Sequence, residues 1–333
     1  MTLPKVSIII PNYNHAHFLD ERINSVLNQT FQDFEVILLD DCSTDDSLKI
    51  LDKYKSHPKV SHYKVNKHNS GSVFRQWVKG IKLSKGEYIW IAESDDVAHP
   101  EFLEETLNFI LDKKDFGLVF TKSTIIDEKG NETGGEFKPH NKDSEFKISG
   151  PDLVSEYLVK SMVIANASSV LFKAESFKFI DFNKLIGFKN TGDRYSYIQI
   201  GLNSTIYFLD RSLNYYRSHN SNTTKKNILN KSIYKDRLRI VDDLIKHFSK
   251  NASASLNLKE FYVKHLFIFY KVNSLVVNQK VLGKLLKYSY LNFSIYLKFS
   301  FLNILSSVFK RHLPHRIRKY YKEMIKREFE IKI

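Results

Sequence analysis

The chain has 333 residues, 42% of them hydrophobic, and a formal net charge of +14. This length fits one large domain with an appendage, or two domains, and the composition can supply a substantial buried core. A single cysteine, Cys42, excludes a disulfide framework and any metal site built from several cysteines. No apolar segment precedes Val6, so we expect no signal peptide and a location in the cytosol.

The positive charge is confined to the C-terminal third of the chain. Residues 1–223 carry 27 Lys and Arg against 30 Asp and Glu, whereas residues 224–333 carry 24 against 7. This change predicts a domain boundary after residue 223, with a basic, aromatic-rich helical region beyond it. Because the first 223 residues are close to neutral, the net charge alone does not predict a nucleic-acid partner.

Short apolar runs alternate with helical patterns in the first part of the chain. The runs are continuous, as expected of strands covered on both faces: 6–10, 35–40, 88–93 and 117–121. In the segments between them apolar residues recur every three or four positions, which predicts helices: 18–29, 45–55, 72–86 and 100–114. Gly86 is expected to end the third helix. This order predicts a doubly wound α/β sheet flanked by helices.

Three of the predicted strands end in polar residues. They are followed by the sequences "PNYNH", "DDCSTDD" and "ESDD". Since sheets of this class bind ligands at the carboxyl ends of their strands, we expect these residues to surround one crevice. Carboxylates crowded together repel unless they share a cation, and Mg²⁺ typically takes one or two carboxylates together with phosphate oxygens. The pattern predicts a divalent ion that carries substrate phosphates.

Each of these features, taken alone, has a simpler explanation. Asp45 and Asp46, at a helix start, fit capping better than ligand binding. Tyr13 alone would be a packed surface aromatic, and "ESDD" alone fits a turn as well as a metal site. His15 and His17 have no partner visible in the sequence and are interpreted as surface residues.

Two blocks of sequence resemble a known family. Residues 6–47, "VSIIIPNYNHAHFLDERINSVLNQTFQDFEVILLDDCSTDDS", resemble the start of the family 2 glycosyltransferases, inverting enzymes with the GT-A fold. Residues 69–96, "NSGSVFRQWVKGIKLSKGEYIWIAESDD", resemble the block that ends in their Asp-X-Asp metal motif. The blocks cover about the first 100 residues, and a weaker resemblance continues to about residue 220. The chain departs from the pattern at Glu93, where the family usually has Asp.

The resemblance implies roles for the strand-end residues. Pro11 and Tyr13 would line the nucleotide base pocket, Asp40 would bind the base edge, and Asp41 would lie toward the ribose. Asp95 would hold Mn²⁺ or Mg²⁺ on the donor diphosphate. The remaining residues of the motif would contact the nucleotide or the donor sugar: Glu93, Ser94 and Asp96.

Two later segments supply the remaining candidates. Asp193 begins the helical pattern at 190–202, where an acid could simply favour the helix dipole. In the family an acid at this place is the catalytic base, which deprotonates the acceptor hydroxyl in an inverting transfer. A Tyr-X-Arg-X-His sequence also occurs in the family, so Arg217 and His219 become candidates for diphosphate contact.

The C-terminal region fits two descriptions. Residues 288–309 hold a single charged residue, Lys298, but too many polar residues for a membrane span. A cluster of basic residues follows: Lys310, Arg311, Arg316, Arg318 and Lys319. The region could lie on an anionic membrane surface or pack on a protein, and a solvated basic helix explains the charge equally well.

The resemblance therefore implies a metal-dependent inverting glycosyltransferase, cytoplasmic or peripheral on the inner face of the membrane. A nucleotide-diphosphate sugar, a UDP-sugar above others, would be the donor, and the acceptor would be a hydroxyl of a glycan or lipid-linked molecule. Capsule, O-antigen or another surface polysaccharide would be the product. Three alternatives stay open. The first is a sugar-nucleotide nucleotidyltransferase, although the segment "PNYNHAHF" lacks the glycine-rich loop that such an enzyme would need. The others are a basic nucleic-acid-binding protein and an inactive scaffold, the latter suggested by Glu93.

Overall fold

The structure is a computed structural model of the chain. The structure describes residues 3–113, 115–139, 146–149, 152, 163–219 and 232–247. The chain divides into two compact units, residues 1–225 and 226–333. No described helix is both long and apolar enough to cross a membrane.

A mixed ten-stranded sheet forms the centre of the first unit. Its strands are β1 Val6–Asn12, β2 Phe34–Asp40, β3 Val60–Val65, β4 Tyr88–Ile91, β5 Val97–Ala98, β6 Phe116–Ile126, β7 Glu132–Phe137, β8 Phe146–Ser149, β9 Val170–Lys173 and β10 Thr205–Arg217. The order across the sheet is β3-β2-β1-β4-β9-β6-β10-β5, with β7 paired to β6 and β8 to β10. Strands β1 to β4 are parallel, whereas β9 runs antiparallel between β4 and β6.

Among the described residues, six α-helices accompany the sheet in the first unit and one belongs to the second unit. They are α1 Ala16–Leu27, α2 Ser47–Tyr54, α3 Val73–Leu83, α4 Phe102–Ile110, α5 Phe182–Leu185, α6 Gly192–Gly201 and, in the second unit, α7 Ser232–His247. The predicted mixed α/β sheet with flanking helices is confirmed. The apolar runs explain why: every residue of β1, β2 and β4 is buried, and Ile8, Leu38 and Trp90 belong to one hydrophobic core.

Two features of the fold differ from the sequence-based expectations. Strand β3 was not predicted, because it lies at the sheet edge, is partly exposed and has no apolar run. Gly86 does not end α3, which stops at Leu83. Instead it packs against β1, where a Cβ on Gly86 would lie 2.5 Å from the Ser7 backbone nitrogen. The predicted membrane-facing segment at 288–309 and the basic cluster after it lie outside the described residues.

Candidate active site

The ends of β1 and β4 and the first turn of α6 open onto one cavity of about 440 Å³. Seven of the eleven predicted site residues line it: Pro11, Tyr13, Asp41, Glu93, Ser94, Asp95 and Asp193. The other four are buried in the protein: Asp40, Asp96, Arg217 and His219. The fold thus brings together residues that are up to 182 positions apart in sequence, from Pro11 to Asp193.

The loops after β1 and β2 are hydrogen-bonded to each other. Asn14 has a left-handed backbone conformation with φ 54°, which Asn tolerates better than most residues. Its backbone N–H donates to Ser43 Oγ at 2.9 Å, and its side-chain oxygen accepts from the Thr44 N–H at 2.7 Å. This arrangement holds Pro11 and Tyr13 at the cavity, with Tyr13 45% exposed.

The two adjacent carboxylates that follow β2 have different surroundings. Asp40 is fully buried and accepts hydrogen bonds from Asn12 Nδ2 at 2.8 Å and from the Ser43 N–H and Oγ at 2.8 and 2.6 Å. It therefore fixes the loop, and its hydrogen bond to a base stays a prediction. Asp41 lines the cavity and accepts from three residues: Asn66, Ser70 and Gln76.

Glu93, Asp95 and Asp96, here called the acid cluster, each place one carboxylate oxygen within 4.8 Å of the others. Burial and the charges of Asp95, Asp96 and Asp193 raise the pKa of Glu93 well above its ordinary value. Burial and the neighbouring Asp95 raise the pKa of Asp96 to about 6. The cluster therefore resists carrying three negative charges at once.

Asn166 and Ser168 position the acid cluster from the segment before β9. Asn166 Nδ2 donates to Glu93 at 3.3 Å and to Asp96, while the Ser168 hydroxyl accepts the Glu93 N–H at 3.0 Å. Neither Asn166 nor Ser168 was predicted from the sequence as a site residue. They lie about 70 positions from the cluster in a segment without a recognisable motif, so nothing in the sequence indicated this contact.

Arg22 of α1 is a buried cation close to the acid cluster. Its guanidinium lies over the Trp90 ring at 5.1 Å, and none of its nitrogens has a hydrogen-bond partner among the described residues. Burial lowers the pKa of Arg22 to about 10, against the opposing effect of Asp96, Asp95 and Glu93. Arg22 therefore acts on the carboxylates through its charge, a role that its place on a predicted helix did not reveal.

Asp95 faces two histidines. His219 Nε2 lies 3.1 Å from Asp95 Oδ2, and His15 contributes a third ligand atom within 4.8 Å of the other two. Burial acts to raise the pKa of Asp95, but the hydrogen bond from His219 and the charges of His15 and His219 when protonated lower it below its ordinary value. The interpretation of His15 as a surface residue without a partner is wrong, because His15 is half-buried and lies against Ser94 and Asp95. Its position just after β1 could have indicated that it belongs to the site. His17 is exposed, as predicted.

Arg217 is buried at the end of β10 and holds the acid cluster in place. Its backbone N–H donates to Asp96 Oδ1 at 3.0 Å, and its Nε donates to the Asp95 carbonyl at 2.8 Å. The guanidinium also bonds Glu21 at 2.6 Å and the carbonyls of Asp127 and Glu128 at 3.2 Å. Because the Arg217 guanidinium donates to oxygens of the protein itself, this geometry favours a positioning role over the predicted diphosphate contact.

Asp193 lies in the first turn of α6 and lines the cavity. The residue before it, Gly192, packs so closely on α3 that a Cβ there would lie 2.8 Å from the Phe74 ring. The Gly-Asp pair thus has a structural reason, since the glycine lets the helix end approach α3. Asp193 also contributes negative charge at Glu93.

Within the part of the chain that the structure describes, two overlapping groups of side chains could hold a divalent ion, and both include Asp95. One is His15, Asp95 and His219, and the other is the acid cluster. The carboxylates suit Mg²⁺ or Mn²⁺, and the imidazoles suit transition ions. The pKa values of Glu93 and Asp96, raised by burial and by the neighbouring carboxylates, fit the same conclusion, because a bound cation would favour the charged forms.

The sequence and the fold resemble those of known proteins. The sequence profile of the family "Glycosyl transferase family 2" matches residues 7–158. Poly(ribitol-phosphate) beta-N-acetylglucosaminyltransferase TarP of Staphylococcus aureus is 30% identical over 220 residues, which are 64% of this chain and 62% of the relative. The chain thus spans less than two thirds of that relative's length.

Two solved structures share the fold. The crystal structure of S. aureus TarS 1-349 in complex with UDP superposes with a TM-score of 0.61 at 19% identity, covering 98% of this chain and 89% of that one. A mannosyltransferase from Pyrobaculum calidifontis, in complex with GDP-Man and Mn²⁺, gives 0.54 at 13% identity, covering 100% and 89%. Residues 7–158 of this chain thus match glycosyl transferase family 2, and the fold is GT-A.

Proposed function

We propose that this chain is a metal-dependent inverting glycosyltransferase that moves a sugar from a nucleotide-diphosphate sugar to a hydroxyl of a glycan or lipid-linked acceptor. One observation carries the proposal. One cavity is lined by the Tyr13 ring just after β1, by Asp95 with His15 and Glu93 beside it, and by Asp193 at a helix N-terminus. Those are the three parts that such a transfer needs: a place for the base, a place for the diphosphate and a general base.

The nucleotide would lie along the β1 and β2 side of the cavity. Tyr13 offers a ring on which a base can stack, Pro11 offers apolar surface, and Asp41 would lie toward the ribose. TarS has been crystallised with UDP and with UDP-GlcNAc. Those complexes support a nucleotide-sugar donor for this chain, with a UDP-sugar as the first choice.

Asp95 and His219 would hold the divalent ion, with Glu93 and Ser94 close to the donor. When bound, the ion neutralises charge on the departing diphosphate, so the leaving group needs no protonated acid. Asp96 lies deeper than Asp95 and is held by Asn166 and by the Arg217 N–H. We therefore assign Asp96 and Arg217 to positioning Asp95 and the donor end of the cavity.

Asp193 would accept the proton of the acceptor hydroxyl as that oxygen attacks the anomeric carbon. A carboxylate suits this role if it reaches the hydroxyl in a hydrogen bond, and Asp193 lies at the cavity wall. The relative TarP is named for transfer to poly(ribitol-phosphate). That name supports a polymeric acceptor here, and we propose a surface polysaccharide as the product.

A thermal-shift screen of nucleoside diphosphates and their sugars, with and without Mn²⁺, tests the proposal. We expect one nucleoside diphosphate to stabilise the chain in a metal-dependent manner, and Asp95→Asn to abolish the effect. The exposed Asp33 provides a matched control, since Asp33→Asn should behave as wild type. Indifference to all nucleotides would refute the proposal, and metal-dependent binding without turnover on any acceptor would favour the scaffold alternative.

A further inference from the structure

Three side chains that could bind a metal come together from distant parts of the sequence, with His15 and Asp95 at the cavity wall and His219 buried beside them. His15 lies between β1 and α1, Asp95 follows β4, and His219 follows β10. One ligand atom from each lies within 4.8 Å of the other two, and the two imidazole centroids are 5.8 Å apart. Two atoms bound to one ion at about 2.1 Å each are at most about 4.2 Å apart, so small side-chain movements would complete the site.

The surrounding residues hold both imidazoles in place. His15 Nδ1 lies 2.8 Å from Ser94 Oγ, and when Nδ1 donates this hydrogen bond Nε2 carries the free lone pair. The Phe18 ring packs on both histidines, with centroid distances of 6.1 Å to His15 and 4.9 Å to His219. The His15 backbone is fixed as well, because its carbonyl accepts from the N–H groups of Phe18 and Leu19 at 2.9 and 3.0 Å.

The acid cluster is the competing site, and its oxygens are more heavily used. Asp96 accepts from the Arg217 N–H and from Asn166, which also donates to Glu93. Arg22 adds a buried positive charge that acts on all three carboxylates. A cation bound on the side of His15 and His219 keeps Asp95 as a ligand and leaves the hydrogen bonds of Asp96 intact.

We propose that His15 is a third protein ligand of the metal, with Asp95 and His219, and that this donor set selects a first-row transition ion over Mg²⁺. Two imidazoles and one carboxylate suit transition ions, whereas Mg²⁺ prefers oxygen ligands. The remaining coordination positions are left for diphosphate oxygens and water. The inference rests on the proposed function for the diphosphate, but metal binding itself can be measured without nucleotide.

The test is a titration of the full chain with Mn²⁺, followed by electron paramagnetic resonance, with Mg²⁺ as competitor. His15→Gln should weaken Mn²⁺ binding by at least about tenfold, since loss of an outer partner of a metal ligand alone lowers affinity 10- to 100-fold. Mg²⁺ should compete better in this variant than in wild type. His17→Gln, at the exposed histidine two positions away, should leave both properties unchanged. Pulsed measurements that detect coordinated nitrogen should show two imidazoles in wild type and one in His15→Gln.

The outcomes separate the two proposals. If Asp95→Asn abolishes Mn²⁺ binding while His15→Gln binds Mn²⁺ and Mg²⁺ as wild type does, the inference about His15 is overturned and the proposed function stands. If Asp95→Asn leaves Mn²⁺ binding unchanged, the ion is elsewhere, and both the inference and the metal step of the proposed function are overturned. Thermal unfolding of each variant verifies that it is folded.

Discussion

Arg22 and Asn166, two side chains from outside the polar strand ends, hold the acid cluster together. Arg22 supplies a buried positive charge without a hydrogen bond to any described residue, and Asn166 donates to Glu93 and Asp96. These two side chains do not fully stabilise the charged carboxylates, because the pKa values of Glu93 and Asp96 stay above their ordinary values. The cost of burying these charged carboxylates next to one another should be measurable as a dependence of stability on pH.

For Asp96, we expect the metal-free protein to lose stability as the pH rises. Its pKa is about 6 in the folded protein against 3.8 ordinarily, so between these values the folded state holds more protons than the unfolded state. The contribution of Asp96 is thus fully present below pH 3.8 and is lost as the pH passes 6. It amounts to at most about 3 kcal/mol, at about 1.4 kcal/mol per pKa unit.

Urea unfolding of wild type and Asp96→Asn between about pH 4 and pH 7 measures this contribution. The stability of wild type relative to the variant should decrease as the pH rises. Any effect of the substitution that does not depend on pH, such as a change in packing, cancels from that trend. A stability difference that stays constant across the range would contradict the assignment.

For Asp193, we expect replacement by Asn to separate catalysis from binding. An Asn of the same shape cannot take a proton, so the transfer rate should fall by about 10²- to 10⁴-fold, the range typical of a general base. Donor affinity, measured by calorimetry with Mn²⁺, should change little, because the role assigned to Asp193 is toward the acceptor.

Asp181 distinguishes this role from a simple effect of the helix dipole. It is an exposed acid at the start of α5 that accepts from the Asn183 and Lys184 N–H groups, and it does not line the cavity. Asp181→Asn keeps a capping oxygen and removes only the negative charge at the helix start, so it should leave the transfer rate close to that of wild type. Near-normal turnover in Asp193→Asn would remove Asp193 as the base.

The strands and helices that could be predicted are those with a continuous or periodic apolar pattern. Strands β1, β2 and β4 were found because both of their faces are buried, and helices α1 to α4 because one face is. Strand β3 is polar and at the sheet edge, so its sequence carries no such pattern. The insertion of β9 between β4 and β6 depends on long-range pairing that no local pattern encodes.

The candidate site was predictable where its residues end or follow a strand, or belong to a pattern shared with the family. Polar strand ends led to Tyr13, Asp41 and Asp95, and the family pattern led to Asp193; all four line the cavity.

His15 also follows β1, but the sequence showed no partner for it. Arg22 and Asn166 carried no such signal, since each reaches the site through the packing of a neighbouring segment. The predicted diphosphate role of Arg217 came from a Tyr-X-Arg-X-His sequence that occurs in the family, and such a pattern does not show where a guanidinium is directed.

The contact between α6 and α3 makes a prediction about Gly192. In Gly192→Ala the added Cβ would meet the Phe74 ring at 2.8 Å, so the start of α6 must move away and carry Asp193 with it. Displacement of a catalytic group by about 1 Å can reduce a rate about 100-fold, and we expect a loss of tenfold or more. Turnover and thermal unfolding measured on the same preparations would separate displacement from unfolding.

Replacing the Phe74 ring with a smaller side chain should restore part of the activity lost in Gly192→Ala. Phe74→Leu in the Gly192→Ala background makes room for the Cβ, so the double variant should transfer faster than Gly192→Ala alone. Phe74→Leu by itself is the control for the lost aromatic contact with Trp77, whose ring centroid lies 5.2 Å away. Wild-type turnover in Gly192→Ala would show that the close approach does not position Asp193.

The parts proposed for catalysis and the positive charge lie in different portions of the chain. All residues that line the cavity fall between positions 11 and 216, within the first compact unit. Residues 1–223 are nearly neutral, whereas residues 224–333 hold 24 basic residues against 7 acidic ones. A need to bind the donor does not explain this separation, but an acceptor attached to an anionic membrane would.

We therefore expect the full chain to bind vesicles that contain phosphatidylglycerol and not vesicles of phosphatidylcholine alone. Each Lys or Arg near an anionic surface contributes about 1 kcal/mol, so five replacements by Gln should abolish most of the binding. The five residues are the basic cluster of the C-terminal region: Lys310, Arg311, Arg316, Arg318 and Lys319. Cosedimentation measures the bound fraction, which should also fall as salt is raised, because salt screens charges that lie more than about 8 Å apart at 0.15 M.

A matched variant tests whether the position of the charge matters or only its amount. It replaces five exposed lysines of the first unit with Gln: Lys49, Lys55, Lys64, Lys67 and Lys82. Both variants lower the net charge equally, so a nonspecific attraction would weaken to the same extent in each. Retention of vesicle binding in the first-unit variant and loss in the C-terminal variant would locate the membrane contact beyond residue 223. Equal behaviour of the two variants, or no binding by wild type, would contradict it and leave packing on a protein as the explanation of the C-terminal charge.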